Sequence, residues 1–162
     1  MNPTPRHAVF ALVALCGLLV LPGGLISCSS PEGGGGPGEG WTEDIDAALK
    51  RAKETDRPVL LNFTGSDWCG WCVRLHKEVF STDAFKSYAD ENLVLVTLDF
   101  PRRREQSAEI AKRNRALQRK YGIRGFPTIV VLDPSGKKLG TTGYVRGGPP
   151  AFLAQIKRIT GR

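Results

Sequence analysis

The sequence predicts an α/β domain in which helices cover both faces of a central β-sheet. Short apolar runs, typical of buried strands, alternate with longer segments whose apolar residues recur every three or four positions, as in amphipathic helices. The first two apolar runs are separated by helical segments, which predicts a right-handed βαβ crossover. The chain has 162 residues, of which 41% are hydrophobic and 24% charged. This composition fits one globular domain and argues against a disordered protein.

Strands are predicted where the chain is most apolar. The expected strands cover residues 57–63, 93–99, 128–133 and 137–145. The first is a nearly continuous apolar run, so it is expected to be buried on both faces. Between the last two, Asp133–Gly136 predicts a turn, because Pro134 fixes φ and Gly136 suits the exit position. The last two strands are therefore expected to form a hairpin.

Helices are predicted from apolar periodicity and from residues that favour helix ends. The expected helical segments are 41–56, 73–80, 82–92, 102–120 and 149–159. Thr42 is the predicted N-cap of the first segment, and Ser81 is the predicted cap of the third. Two prolines near the start of the last segment suit a first helical turn.

The first 27 residues predict a signal peptide for export that is not part of the fold. Residues 8–21 are apolar and uncharged, but this run is shorter than the roughly 20 residues of a membrane-spanning helix. The sequence from Leu25 to Cys28, Leu-Ile-Ser-Cys, resembles the lipobox of bacterial lipoproteins. This resemblance implies cleavage after Ser27 and a lipid on Cys28, which would anchor the chain to a membrane. An ordinary cleaved signal with an incidental cysteine is the alternative.

Residues 28–40 are predicted to be a lipidated cysteine followed by a glycine-rich tether, ahead of a folded domain at 41–162. The tether has no large apolar residue to offset its ordering entropy. This order predicts an exported protein, lipid-anchored to a bacterial membrane and facing the periplasm or the cell exterior. Ser29, in place of an aspartate after the cysteine, favours the outer membrane in a two-membrane bacterium.

The formal net charge of +7 concentrates in residues 102–120, which hold eight basic and two acidic residues. Such a run is typical of a solvated helix face. Contact with anionic lipid head groups is the alternative interpretation. No aromatic residue interleaves with these charges to stack on bases, and the chain carries a predicted export signal, so no nucleic-acid partner is expected.

The mature domain keeps two cysteines, Cys69 and Cys72, because Cys16 lies in the signal and Cys28 is expected to carry lipid. They follow a predicted strand and begin a predicted helix, where one turn brings Cα atoms within disulfide range, about 5 to 6 Å. Cys69 would lie at the helix N-terminus, whose free N–H groups and dipole favour a thiolate. The spacing therefore predicts an attacking Cys69 and a shielded, resolving Cys72.

Three other roles are open to this pair. A zinc site needs four ligands, and the mature chain offers only Cys69, Cys72 and His76, so a metal-binding module would need ligands from a second chain. A purely structural disulfide would close too short a loop to stabilise the domain much. A non-catalytic binding or adaptor domain is the third alternative.

The segments DWCGWC, at 67–72, and KYGIRGFPT, at 120–128, resemble the thioredoxin family over nearly all of 41–162. The resemblance implies a thioredoxin-like three-layer sandwich, with a central mixed β-sheet flanked by helices. It also implies a thiol–disulfide oxidoreductase that exchanges disulfides with protein thiols and is recycled by a separate redox partner. It implies no cofactor beyond the redox-active cysteine pair and no metal.

The second segment adds a candidate substrate site. By resemblance, Pro127 is cis and faces the disulfide, and Phe126 and Thr128 beside it contact the substrate main chain. Trp68, before the first cysteine, has either a supporting role at the site or a packing role.

Three departures from the thioredoxin pattern bear on the chemistry. Gly70 and Trp71 lie between the cysteines where thioredoxin has Gly-Pro, so the direction of electron flow stays open. Asn62 falls where the family has a buried aspartate that assists proton transfer, and an amide does not titrate. Asp67 or water would take that role, or Cys72 would deprotonate less readily. His76 lies either near the thiols or on the helix surface.

Overall fold

A computed structural model describes residues 38–162 and contains a five-stranded sheet flanked by five α-helices. The strands are β1 (Trp41–Thr42), β2 (Val59–Thr64), β3 (Val94–Asp99), β4 (Thr128–Leu132) and β5 (Lys138–Thr142). The helices are α1 (Ile45–Thr55), α2 (Gly70–Leu75), α3 (Asp83–Asn92), α4 (Ala108–Lys120) and α5 (Gly148–Thr160). A π-helical turn, His76–Phe80, continues α2.

The strand order is β1-β3-β2-β4-β5, and the sheet is mixed. The first three strands in this order are parallel, whereas β4 is antiparallel to both β2 and β5. Thr64 at the end of β2 pairs with Asp99 at the end of β3, and Phe63 pairs with Thr128 at the start of β4. The segments that follow β2 and β3 and the segment that precedes β4 therefore meet at one edge of the sheet.

Helices cover both faces of the sheet, as the sequence predicts. On one face, apolar residues of α1 and partly buried residues of α4 pack against one set of strand side chains. On the other face, α2 with its π-helical turn, α3 and α5 pack against the alternate set. This three-layer arrangement confirms the expected fold class.

The start of the domain differs from the prediction. Trp41 and Thr42 form β1, which pairs with β3, so Thr42 is not the cap of α1. Asp44 is the N-cap, and its carboxylate accepts hydrogen bonds from the N–H groups of Asp46 and Ala47, each at 3.0 Å. A two-residue strand is too short to produce a periodic signal, and the capping side chain lies two residues beyond the predicted cap.

Two other predicted helix starts were wrong. Thr82 caps α3 in place of Ser81, and the Thr82 hydroxyl accepts from Phe85 N–H at 3.3 Å. The Ser81 hydroxyl instead donates to the Lys77 carbonyl at 3.0 Å. The segment predicted as a helix over 102–120 is helical only from Ala108, with Ser107 as its cap. The residues before Ser107 form a loop whose contacts are described below.

The predicted signal peptide at 1–27, the lipidated Cys28 and most of the tether lie outside the described residues. Of the tether, only Gly38–Gly40 is described, and these residues form a turn that leads into β1. Between Gly38 and Arg162, no helix combines the length and hydrophobicity needed to span a bilayer.

Candidate active site

Cys69 and Cys72 form a disulfide at the sheet edge where β2 ends, with Cα atoms 5.2 Å apart. Cys69 is the N-cap of α2, with extended backbone at φ −89° and ψ 101°. The Cys72 N–H points at Cys69 Sγ across 3.2 Å. A Cys69 thiolate formed on reduction would therefore keep a backbone donor. Both cysteines are buried, with 7% of Cys69 and 4% of Cys72 exposed.

The loop before β4 lies at the same edge of the sheet. The Phe126–Pro127 peptide bond is cis, as the resemblance implied. The Phe126 ring packs edge-on against Trp68, with ring centroids 5.9 Å apart. The Thr128 hydroxyl donates to the Gly125 carbonyl at 2.7 Å and so closes the loop on itself. The structure thus brings Phe126, which precedes the cis Pro127, against the residue that precedes Cys69, while the Thr128 hydroxyl is bonded within its own loop.

Trp68 is packed from several sides. Its Nε1–H donates to the Phe100 carbonyl at 2.8 Å. The Arg102 guanidinium lies over the indole, 3.6 Å from the ring centroid. A Cβ atom at Gly65 would lie only 2.5 Å from the Trp68 ring, so the approach of backbone to indole requires glycine there. Trp68 is therefore held in place structurally, directly before Cys69 in the chain.

Asp67 binds the loop between β3 and α4, residues 100–107, which we call the β3–α4 loop. Its carboxylate oxygens accept the backbone N–H groups of Arg102, Arg103 and Arg104 at 2.7 to 3.2 Å. Desolvation opposes ionisation here, but the three N–H donors outweigh it and hold the pKa of Asp67 below its ordinary value. Both oxygens are engaged with this loop, so the carboxylate joins the active-site loop to the β3–α4 loop.

Asp99, at the end of β3, is a site residue that the sequence reasoning missed. It is fully buried, and its carboxylate accepts from the Ser66 N–H at 2.9 Å and the Ser66 hydroxyl at 2.6 Å. It also pairs with the Arg104 guanidinium, and its carbonyl accepts from the buried Asn114 amide at 3.0 Å. The sequence contained one signal for this role, an aspartate at the end of a strongly apolar strand. A carboxylate in that position is expected to be buried and therefore to need polar partners.

Trp71, between the cysteines, is 51% exposed and lies against Tyr144, with ring centroids 5.2 Å apart. The Arg74 guanidinium lies 5.5 Å from the Trp71 ring centroid and 5.3 Å from that of Tyr144. The Tyr144 hydroxyl donates to Glu78, and Arg74 Nε donates to Glu78 at 2.6 Å. Both hydrogen bonds lower the pKa of Glu78, and the bond from Tyr144 has the larger effect. Tyr144 lies just after β5, so no local pattern connected it with Trp71.

A buried polar group lies on the sheet face that α2 covers. Asn62 shares this face with Leu60, since side chains alternate along a strand, and it pairs in register with Thr97 of β3. Both are buried, and Asn62 Oδ1 and Thr97 Oγ1 have no hydrogen-bond partner within the described residues. His76, predicted near the thiols or on the surface, is half-buried, and its Nδ1 is enclosed without a partner in the same part of the chain.

Trp68, the residue that precedes Cys69, lines an open cleft of about 400 Å³ that we call the arginine cleft. It lies between the β3–α4 loop, α4 and the aromatic pair of Trp68 and Phe126. Its other lining residues are Phe100, Pro101, Arg102, Arg104, Gln106, Ala111, Arg115 and Gln118. Across residues 38–162, no three of the His, Cys, Asp and Glu side chains cluster closely enough to hold a metal ion.

Comparison with known proteins gives one consistent family. The model of thioredoxin-like domains matches residues 45–159. The disulfide bond reductase DsbH of Chlamydia pneumoniae is 36% identical over 115 residues, which cover 71% of this chain and 69% of DsbH. The thioredoxin-related protein DsbJ of the same organism is 31% identical over 103 residues, but this chain spans only 30% of its length. A solved DsbH oxidoreductase superposes with a TM-score of 0.70 at 34% identity, covering 74% of this chain and 83% of that one.

Proposed function

The chain belongs to the family of thioredoxin-like domains, and on that premise we propose that it reduces disulfides of other proteins through Cys69 and Cys72. It is a thiol–disulfide oxidoreductase with an intact Cys-x-x-Cys pair. The observation that carries the proposal is the Cys69–Cys72 disulfide at the start of α2, directly after Trp68, which packs against Phe126 of the cis-proline loop. The reducing direction is supported by the similarity to the reductase DsbH.

The exchange proceeds in two displacements. The Cys69 thiolate attacks one sulfur of the substrate disulfide, and the other substrate sulfur leaves as a thiolate that takes up a proton. Cys72 then loses its proton and attacks Cys69 Sγ, which releases the second substrate thiolate and forms the Cys69–Cys72 disulfide. Two electrons pass to the substrate, so a separate dithiol must supply two electrons to restore the reduced pair.

The helix N-terminus stabilises the charged states of this cycle. When Cys69 is a thiolate, either before attack or as the leaving group, the Cys72 N–H that lies 3.2 Å from its sulfur can donate to it. Cys72 lies three residues beyond the N-cap, so its sulfur has less access to the free N–H groups at the start of α2 than Cys69 has. Asn62 is an amide, so it cannot take up the proton that Cys72 loses. The Asp67 carboxylate is engaged with the β3–α4 loop.

The reducing direction is tested by the reduction potential of the full chain, equilibrated with glutathione buffers. We expect a value near that of thioredoxin, about −270 mV. A value near −120 mV, as in strong disulfide oxidants, would contradict the reducing direction without removing the exchange chemistry. Trp71→Pro, which restores the dipeptide of thioredoxin, reports how far Trp71 displaces the potential.

The roles of the two cysteines are tested by single substitutions. Cys69→Ser is expected to abolish reduction of a protein disulfide such as that of insulin. Cys72→Ser keeps the attacking thiol but cannot resolve, so a mixed disulfide of the variant with substrate should accumulate and be visible on non-reducing gels. Retention of exchange activity by Cys69→Ser would exclude this mechanism, and binding without exchange in the wild-type chain would favour an adaptor.

We further propose that the chain is exported and anchored to a membrane by a lipid on Cys28. This proposal is supported by the resemblance of Leu25–Cys28 to a lipobox and by the glycine-rich tether that follows it. Mass spectrometry of the mature chain should find an acylated Cys28 at its amino terminus, and globomycin should block processing. Processing that is insensitive to globomycin, or an unmodified Cys28, would exclude the anchor.

A further inference from the structure

We propose that the arginine cleft binds an acidic side chain that lies within a few residues of the reacting cysteine in a protein substrate. The inference rests on the proposed exchange function and adds a substrate preference to it. Its basis is the combination of two guanidinium groups and three aromatic rings in one cleft, which is lined by Trp68, the neighbour of Cys69 in the chain. The arginines give the cleft its charge, and the aromatic side chains give it an apolar floor.

The cleft shares two side chains with the reaction site. Trp68 directly precedes Cys69, and Phe126 directly precedes the cis Pro127, so the edge-on aromatic pair that lines the cleft is joined in the chain to both parts of the reaction site. A substrate residue advances about 3.3 Å along an extended chain. A polypeptide whose cysteine reaches Cys69 would therefore bring neighbouring residues over the cleft.

Two of the lining arginines carry charge that the protein does not neutralise. Within residues 38–162, no carboxylate lies within ion-pair distance of Arg102 or Arg115, and neither side chain makes a hydrogen bond. Arg104, in contrast, is paired with the buried Asp99 and does not count toward this charge. The nearby Asp67 carboxylate already accepts three backbone N–H groups of the same loop.

Arg102 is held in a geometry suited to carboxylate binding. Its guanidinium lies 3.6 Å from the Trp68 ring centroid, which fixes the cation over the indole. Stacked in this way, a guanidinium keeps its N–H edge free for a bidentate hydrogen bond to a carboxylate. The loop that carries Arg102 is anchored by Asp67, so less conformational entropy is lost on binding.

A protein substrate fits this cleft better than a lipid does. The cleft borders the one site of the described chain that carries a redox-active pair, and that pair acts on a cysteine-bearing chain. Phe100 and Phe126 also contact each other, with ring centroids 5.0 Å apart, and provide an apolar surface for the side chain next to the acidic residue. The occupant is therefore an acidic residue on a polypeptide with an apolar neighbour.

The test measures exchange with peptides that differ in one residue. Each peptide carries its single cysteine as a 2-pyridyl disulfide, and Glu, Gln or Lys is placed in turn at three positions on either side. The Cys69 thiolate of the reduced full chain attacks the peptide sulfur, and pyridine-2-thiolate leaves and is protonated to the absorbing 2-thiopyridone. Cys72 then displaces the peptide thiolate and closes the Cys69–Cys72 disulfide. Stopped-flow absorbance gives one second-order rate constant for each peptide.

At one or more positions, the wild-type chain should react about tenfold faster with the Glu peptide than with the Gln peptide, and more slowly still with the Lys peptide. The ratio of Glu to Gln rates should fall about threefold in Arg115→Gln and approach one in the Arg102→Gln, Arg115→Gln double variant. In 1 M NaCl the preference should shrink, because the Debye length falls to about 3 Å. Since each ratio is measured on one protein, an overall loss of folded material does not change it.

Arg119→Gln is the matched control. Arg119 is exposed on the same helix but does not line the cleft, and its substitution changes the net charge by the same amount. It should keep the wild-type rate ratio. Equal rates for the Glu and Gln peptides at all six positions would overturn the proposal. So would an equal fall of the ratio in Arg119→Gln and Arg115→Gln, which would assign the effect to net charge.

Two further outcomes separate this proposal from others. If the wild-type chain reacts with none of the peptides, or Cys69→Ser reacts as fast, then the exchange function itself fails. Vesicles of phosphatidylcholine with 30% phosphatidylglycerol test the lipid alternative by co-sedimentation. Vesicle binding that the double variant loses, without any peptide preference, would overturn the proposal in favour of anionic lipid.

Discussion

The contact between Gly65 and Trp68 makes one substitution especially informative. A Cβ atom added at Gly65 would lie 2.5 Å from Trp68 Cε2, 2.6 Å from Nε1 and 2.8 Å from Cζ2. Real Cβ atoms do not approach other atoms so closely, so in Gly65→Ala either the indole or the backbone at residue 65 must shift, and we expect the indole to do so. The displaced ring cannot keep both its 2.8 Å hydrogen bond to the Phe100 carbonyl and its edge-on contact with Phe126.

The size of the effect follows from these two losses. Overpacking a well-filled site costs about 1 to 3 kcal/mol, and a lost buried hydrogen bond costs about 0.5 to 1.5 kcal/mol. Gly65→Ala should therefore lower the free energy of unfolding by about 1.5 to 4.5 kcal/mol. For a domain of this size, 1 kcal/mol corresponds to about 4 °C, so the Tm should fall by about 6 to 18 °C. The exchange rate should fall as well, because Trp68 directly precedes Cys69 and packs against Phe126 of the cis-proline loop.

Gly70→Ala is the control, because it makes the same chemical change five residues away. Its Cβ would meet no atom within 4 Å, and Gly70 begins α2, where alanine is the better helix former. The Tm of the oxidised Gly70→Ala variant should stay the same or rise slightly, as measured by circular dichroism. If Gly65→Ala melts within about 2 °C of the wild-type chain, or if Gly70→Ala melts equally low, the steric argument is wrong.

Three further predictions concern charge and exposure at the site. The pKa of Asp67 is lowered in the folded state, so the ionised carboxylate stabilises the fold above pH 3.8, the ordinary pKa, and this contribution is lost as the pH falls through the lowered pKa. Denaturant titrations from pH 6 to pH 2.5 should therefore show a steeper loss of stability in the wild-type chain than in Asp67→Asn. Asn62→Asp would place a carboxyl group at a buried position, and burial raises the pKa of a carboxyl group. The free energy of unfolding of this variant should therefore fall as the pH rises from 5 to 8, by about 1.4 kcal/mol for each pH unit within the shifted range. Asn62→Ala should show no such dependence. Trp71→Ala removes a half-exposed side chain and should change the free energy of unfolding by about 1 kcal/mol or less. It should slow the reduction of insulin more than the reduction of a small aromatic disulfide. An equal slowing of both reactions would assign Trp71 to the thiol chemistry alone.

The sequence predicted the parts of the fold that repeat a local pattern. The central strands and the long helices were confirmed because each contains several periodic apolar residues. Strand β1 was missed because Trp41 and Thr42 are too few to show a period, and their strand character comes from pairing with β3. Two caps were misplaced because several residues capable of capping lie side by side, and only the backbone path decides which one bonds.

The candidate site divides in the same way. The pairing of Cys69 with Cys72 was predicted from their spacing and the cis Phe126–Pro127 bond from the resemblance to thioredoxins, and the structure contains both. Nothing local connects Asp67 with the β3–α4 loop, because its partners are backbone N–H groups, which every residue except proline carries. Register in the parallel sheet brings the two segments together, since β2 and β3 end side by side.

A count of basic residues in the segment 102–120 does not predict what each of them does in the fold. The sequence showed eight basic residues at 102–120 as one solvated group, but the structure gives neighbouring arginines different roles. Arg104 neutralises the buried Asp99, whereas Arg102 stacks over Trp68, and no carboxylate among the described residues pairs with it. Removal of Arg104 would leave a buried carboxylate without its cation, so Arg104→Gln should destabilise the fold. Arg102→Gln leaves no buried charge unpaired and should act mainly on substrate preference. Arg104→Gln should therefore lower the Tm more than Arg102→Gln does, and Arg102→Gln should lower the ratio of Glu to Gln peptide rates more. That result would show that stability and substrate preference depend on different arginines of the same loop.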